Sequence, residues 1–181
     1  MGGDISVEST YGKGSTFTVC IPQTEKGTGK LGILNTTKKA TKKTYEPSFK
    51  APNAHILVVD DVAVNLNVIK GLLRQTLISI DTVISGQECL DKIKDTHYDV
   101  ILLDHMMPEM DGIETMAHIK ADSTHANQDT PIIMLTANAI IGAREEYLEQ
   151  GFADYLSKPF MPDELEAILI KHLPTKLVQT N

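Results

Sequence analysis

His55-Ile56-Leu57-Val58-Val59-Asp60-Asp61 and Val100-Ile101-Leu102-Leu103-Asp104 are short apolar runs that each end in carboxylates. Three more short runs follow, and between them lie amphipathic stretches, the alternation expected of repeated β-α units around a parallel sheet. The pattern predicts strands at Ile56 to Asp60, Ser79 to Ile84, Val100 to Asp104, Ile132 to Thr136 and Asp154 to Leu156. Leu66, Ile69, Leu72 and Leu73 recur at helical spacing, as do Leu165, Ile168, Leu169 and Leu173, so each helix offers one apolar face to the sheet. Pro162 with Asp163 and Glu164 suits the first turn of the last helix, where a missing N–H is harmless and negative charge is favoured. Five β-α units of an α/β domain are therefore expected.

In open parallel sheets ligands bind at the carboxyl ends of the strands. The residues found there are Asp60 and Asp61 after the first strand, Asp104 after the third, Thr136 after the fourth, and Lys158-Pro159 beyond the fifth. If the first strand lies beside the third, three carboxylates meet in one shallow cleft, and their repulsion calls for a cation. Mg²⁺ fits, because it is commonly held by one or two carboxylates, keeps several waters and takes further oxygens from a phosphate.

Val58-Val59-Asp60-Asp61, Asp104-His105-Met106-Met107-Pro108 with Met110-Asp111-Gly112, Thr136-Ala137 and Lys158-Pro159-Phe160 together resemble the receiver domains of two-component signalling, over the whole of residues 54–174. The resemblance implies a (βα)₅ doubly wound parallel sheet of flavodoxin-like order 2-1-3-4-5. It also implies that Asp104 is the phosphoacceptor, that Asp60, Asp61 and Asp104 bind Mg²⁺ with the backbone carbonyl of Met106, that Lys158 pairs with the phosphoryl group, and that Thr136 donates to a phosphoryl oxygen. A carboxylate is able to form an acyl phosphate, and phosphoryl transfer relies mostly on positioning and charge stabilisation, so a metal ion and a lysine are the expected companions of such a nucleophile. The same resemblance implies a cis bond between Lys158 and Pro159, which is inexpensive before proline. Thr136 and Tyr155 would form the switch, the hydroxyl moving toward the phosphoryl group while the ring turns inward. The other reading of Tyr155 is a half-buried strand residue with its hydroxyl in water. Leu77 departs from the pattern, since many receivers have glycine before the second strand.

Composition bounds the alternatives. Residues 54–174 carry 20 Asp and Glu against 8 Lys and Arg, whereas residues 1–53 carry 4 against 8. An acidic globule follows a basic leader, and such a globule repels nucleic acid. Cys20 and Cys89 have no metal-ligand spacing and form no disulfide framework, which fits a reducing, cytoplasmic setting; Cys89 is expected to pack in the core. No apolar run approaches the ~20 residues needed to span a bilayer, so no membrane contact is expected of these residues, although a parent kinase could be anchored by segments upstream. All six histidines lie in the acidic region, and none is placed as a phosphodonor: each is expected at the surface, with His105 pointing away from Asp104. Met106, Met107 and Met110 read as loop packing.

Residues 23–53 are rich in Lys, Thr and Gly and poor in large apolar residues, so they are expected to form a flexible linker. Gly27, Gly29 and Gly32 match G-x-G-x-x-G without a flanking strand and helix, and Leu31 after Gly29-Lys30 breaks a Walker loop, so no nucleotide site is read here. Residues 1–22 include Gly3-Asp4-Ile5-Ser6-Val7-Glu8-Ser9 and Gly12-Lys13-Gly14-Ser15-Thr16-Phe17, which resemble the last strands of the ATP-binding domain of histidine kinases. They imply the C-terminal piece of a hybrid sensor kinase, whose asparagine-bearing helix and glycine-rich lid would lie upstream of Met1. Residues 175–181 are expected to be a tail with no DNA-binding domain attached. The expected partners are a histidine kinase core or a histidine phosphotransfer protein, with self-association, if any, through the last helix and strand face. The only catalysis expected of these residues is their own phosphorylation and dephosphorylation. A haloacid dehalogenase-type phosphatase would need a second Asp where Met106 stands. A pseudo-receiver that only binds partners would lack one of the acidic pair, Asp104 or Lys158.

Overall fold

The computed structural model describes residues 2–23, 46–137 and 147–180, and the chain divides into two units, Met1–Lys43 and Thr44–Asn181. In the first unit β1 (Asp4–Thr10) and β2 (Gly14–Cys20) form an antiparallel hairpin, from Asp4 opposite Cys20 to Thr10 opposite Gly14. The cross-strand pairs Ile5–Val19 and Val7–Phe17 alternate onto one face and remain exposed. A two-stranded ribbon of this kind is marginal by itself in water.

The second unit is built around a five-stranded parallel sheet of β4 (His55–Val59), β5 (Ser79–Val83), β6 (Val100–Asp104), β7 (Ile132–Thr136) and β8 (Asp154–Ser157). Their order across the sheet is β5-β4-β6-β7-β8, which is 2-1-3-4-5 when counted within this unit. The central strands β4, β6 and β7 are buried almost throughout, as strands covered on both faces must be. Alternate side chains feed two cores. Ile56, Val58, Val100, Leu102, Ile133 and Leu135 pack with α1 (Ala63–Leu73) and the last helix, α4 (Pro162–His172), on one face. Leu57, Val59, Ile101, Leu103 and Met134 pack on the other with α2 (Gly86–Asp95) and α3 (Gly112–Ala121), and Cys89 is fully buried there. Burial pushes the Cys89 thiol up to about 12, as suits a packing residue.

Local chemistry fixes the helix starts. Ser85 accepts from Glu88 N–H (3.2 Å) while the Glu88 carboxylate accepts from Ile84 N–H (3.1 Å), a reciprocal cap. Asp111 accepts from Glu114 N–H (2.8 Å) at the start of α3. Pro162, Asp163 and Glu164 occupy the first turn of α4 as expected.

Three expectations need correction. Residues 46–53, placed in the linker, are part of the second unit: β3 (Phe49–Lys50) pairs antiparallel with β9 (Gln179–Thr180), and Phe49 and Ala51 are fully buried. Residues 175–180, placed in a tail, form a 3₁₀ turn (Thr175–Leu177) followed by β9. Residues 24–45 of the expected linker lie outside the described residues. His125, expected at the surface, is buried, because its Nδ1 accepts from Asn127 N–H (3.1 Å) and Asn127 is itself held by Tyr98 N–H, Ile93 O and Thr96 O. Leu77 adopts the left-handed conformation, φ 64° and ψ 12°, where glycine is favoured.

Candidate functional site

Asp60 follows the last residue of β4 and Asp104 ends β6, and because β4 and β6 are neighbours the two carboxylates converge at one end of the sheet. Asp61 joins them, and one carboxylate oxygen from each of the three lies within 4.8 Å of the others. Asp60 and Asp104 are buried while Asp61 is exposed, so the cluster opens to solvent on the Asp61 side.

Lys158 reaches this cluster from beyond β8. Its backbone N–H donates to Thr136 O (2.7 Å), its bond to Pro159 is cis, and its Nζ lies 2.7 Å from Asp60 Oδ2 and 2.8 Å from Asp104 Oδ1. Burial pushes the Lys158 ammonium down, but its two carboxylate partners outweigh that and hold it above its ordinary value. Burial pushes the Asp104 carboxyl up, with Asp60 and Asp61 adding to the rise, and Lys158 offsets only part of it. One ammonium against three carboxylates leaves negative charge in the cleft.

Asp60 is also tied to its own helix. Its Oδ1 accepts from Val62 N–H (2.9 Å), and Asn65 Nδ2 donates to both carboxylate oxygens at 3.0 and 3.1 Å. Asn65 was not legible as a site residue, since only the folded turn brings the first helix's amide back onto Asp60. The loop after β6 is equally constrained. A Cβ on Gly112 would stand 2.3 Å from Asp104 O, so only glycine lets α3 start so close to the acceptor strand. Met107 is buried, in agreement with a packing role, whereas Met106 projects its side chain into solvent and does not pack as expected.

Thr136 ends β7 and is buried. Its Oγ1 lies 3.3 Å from Tyr147 Oη, which in turn lies 3.2 Å from His105 Nδ1. His105, expected at the surface, is half-buried and engaged with Tyr147. Tyr155 is half-buried on β8, with its ring centroid 6.3 Å from that of Tyr147.

The sequence model of the response regulator receiver domain matches residues 56–170. The chain belongs to this family. The receiver fold is shared with the receiver domain of a sensor histidine kinase from Pseudomonas aeruginosa, crystallised with a magnesium ion coordinated in its active-site cleft: TM-score 0.59, 38% identity, 66% of this chain and 96% of that one. A chemotaxis response regulator of Vibrio cholerae gives TM-score 0.61 and 31% identity over 66% of this chain and 98% of its own. The chain is 31% identical over 177 residues to the aerobic respiration control sensor protein ArcB of Escherichia coli, covering 97% of this chain and 21% of that protein. The signal transduction histidine-protein kinase BarA of the same organism is 34% identical over 119 residues, 66% of this chain and 13% of the relative. The chain thus spans about a fifth or less of these two relatives. Its receiver domain places it in two-component signalling. No helix among the described residues is long and apolar enough to cross a membrane.

Proposed function

We propose that this receiver accepts a phosphoryl group from a phosphohistidine onto Asp104. The observation that carries the reading is the convergence of Asp60, Asp61 and Asp104 with Lys158 Nζ within 2.8 Å of two of them. Three carboxylates with one ammonium form an oxygen-rich, net negative donor set that fits a hard divalent cation. Asp60, Asp61, Asp104 and the backbone carbonyl of Met106 would hold Mg²⁺, which would neutralise charge on the transferred group.

In the transfer, an Asp104 carboxylate oxygen attacks phosphorus as the bond from phosphorus to the donor imidazole nitrogen breaks, and the electron pair of that bond stays on the imidazole. Lys158 exchanges part of its contact with Asp104 for a charge-assisted contact with the phosphoryl oxygens. Asn65 and Val62 keep Asp60 in place, so the cleft need not rearrange. Thr136 would donate its hydroxyl to a phosphoryl oxygen, and Tyr155 would follow by turning inward.

The donor would be a histidine kinase core or a histidine phosphotransfer protein. The parent would be a hybrid sensor kinase: the exposed apolar face of the hairpin suits a ribbon from a larger sheet, and the match to ArcB is too long to be confined to the receiver. The alternative of a non-phosphorylated pseudo-receiver gains no support, because Asp104, the acidic pair and Lys158 are all present and assembled.

With Mg²⁺ and acetyl phosphate the chain should gain one acid-stable, base-labile phosphoryl group by intact mass, and Asp104→Asn should gain none, since an amide cannot supply the nucleophilic oxygen. Undiminished phosphorylation of Asp104→Asn, or none in the wild type, would overturn the proposal.

A further inference from the structure

Tyr147 has no part in the chemistry described so far, yet it is buried in contact with three groups around the proposed switch. Its hydroxyl stands between Thr136 Oγ1 (3.3 Å) and His105 Nδ1 (3.2 Å). Its ring meets His105 edge-on with centroids 5.6 Å apart, meets Phe152 edge-on at 6.2 Å, and lies 6.3 Å from Tyr155 at a tilt of 35°. His105 is the residue after Asp104 on β6, and Thr136 ends the adjacent β7. One phenol therefore ties together the ends of the two central strands that bear the phosphoacceptor and the switch hydroxyl.

We propose that Tyr147 is a positioning residue that holds the Thr136 hydroxyl in its resting place and so restrains phosphorylation. This rests on the receiver mechanism given above. The ring cannot easily yield, because His105 and Phe152 brace it from two sides and its hydroxyl is anchored on His105. Thr136 is the smaller partner. If Thr136 moves to donate to a phosphoryl oxygen, the contact with Tyr147 is made in the resting state and lost in the engaged one. A contact made in only one of two states stabilises that state. Loss of the phenolic oxygen should then favour the engaged position by about two- to tenfold, the range a single buried hydrogen bond supports. The ring has a separate role, as a surface against which Tyr155 packs when it turns inward.

The test uses Tyr147→Phe, which keeps the ring and deletes the bridge, in the full chain. With Mg²⁺ and acetyl phosphate, the initial rate of phosphorylation should rise about two- to tenfold over wild type. In a Thr136→Ala background the same substitution should have no effect, because its action passes through the Thr136 hydroxyl. A rate unchanged by Tyr147→Phe, or a gain that persists without the threonine, overturns the tether. Three-bond couplings about the Thr136 side chain, measured on unphosphorylated protein, provide a second reading: they should shift between wild type and Tyr147→Phe. If the wild type takes no phosphoryl group, the receiver mechanism fails, and the couplings still decide the tether, with unchanged couplings overturning it.

Discussion

Ser48 donates both its backbone N–H (2.8 Å) and its hydroxyl (2.6 Å) to one carboxylate oxygen of Glu166, a residue buried in the last helix. The contact fastens the chain entering the receiver to the helix that closes it, one residue before Phe49 enters the core and pairs opposite Thr180. The family match ends at residue 170, so β3 and β9 together form a clasp outside its limits.

Phe49→Ala should therefore destabilise the receiver by about 3–5 kcal/mol, the usual cost of removing a buried aromatic ring. A chain beginning at His55 should lose at least as much against one beginning at Glu46. Urea unfolding measures both, and a midpoint unmoved by either change would show that the clasp contributes nothing.

This clasp also shows where the sequence was legible and where it was not. β6 and β7 were bounded to the residue, because a short β-branched apolar run such as Ile132-Ile133-Met134-Leu135, starting just after Pro131, fits a doubly covered strand and is too short for a helix. Asp60, Asp61, Asp104 and Lys158 were legible because carboxylates at strand ends have few structural uses. Phe49 was not, since one large apolar residue in a polar stretch carries no periodicity, and its partner strand lies at the far end of the chain. Asn65, His105 and Tyr147 were missed for a related reason: their roles come from hydrogen bonds between residues distant in sequence, and their residue types are unremarkable at those positions. Leu77 was noticed only through the family pattern, and its backbone angle gives the physical reason.

Leu77→Gly should stabilise the receiver. A left-handed leucine costs about 1–2 kcal/mol, glycine gives back about 0.5–1 kcal/mol through the entropy of the unfolded chain, and the Leu77 side chain is exposed, so little packing is lost. The expected net gain is about 0.5–1 kcal/mol, read as a higher urea midpoint at unchanged slope. Leu77→Ala should show no such gain, because a Cβ keeps the strain. Equal effects of glycine and alanine would point to lost side-chain contacts instead.

The raised Asp104 carboxyl leads to a last prediction, whose sign follows from linkage. A carboxyl whose folded-state value lies above its unfolded one contributes stability below the unfolded value, about pH 3.9, and that contribution is lost as pH rises through the folded value. Burial is the main cause of the rise, with Asp60 and Asp61 adding to it, so ionised Asp104 works against the folded chain at neutral pH when no metal is bound. Asp104→Asn, which keeps the shape and removes the charge, should unfold at a higher temperature than wild type near neutral pH in the presence of a chelator. The difference should shrink as pH falls and the wild-type carboxyl takes up its proton. Adding Mg²⁺ at about 100 times its dissociation constant should raise wild-type stability by about 2.7 kcal/mol, and the variant, with one ligand fewer, should gain less. Thermal unfolding from about pH 3 to about pH 8, with and without the metal, measures all of this. An advantage of Asp104→Asn that does not vary with pH would show that its origin is packing and not the buried charge, and the electrostatic account of the cleft would have to be abandoned.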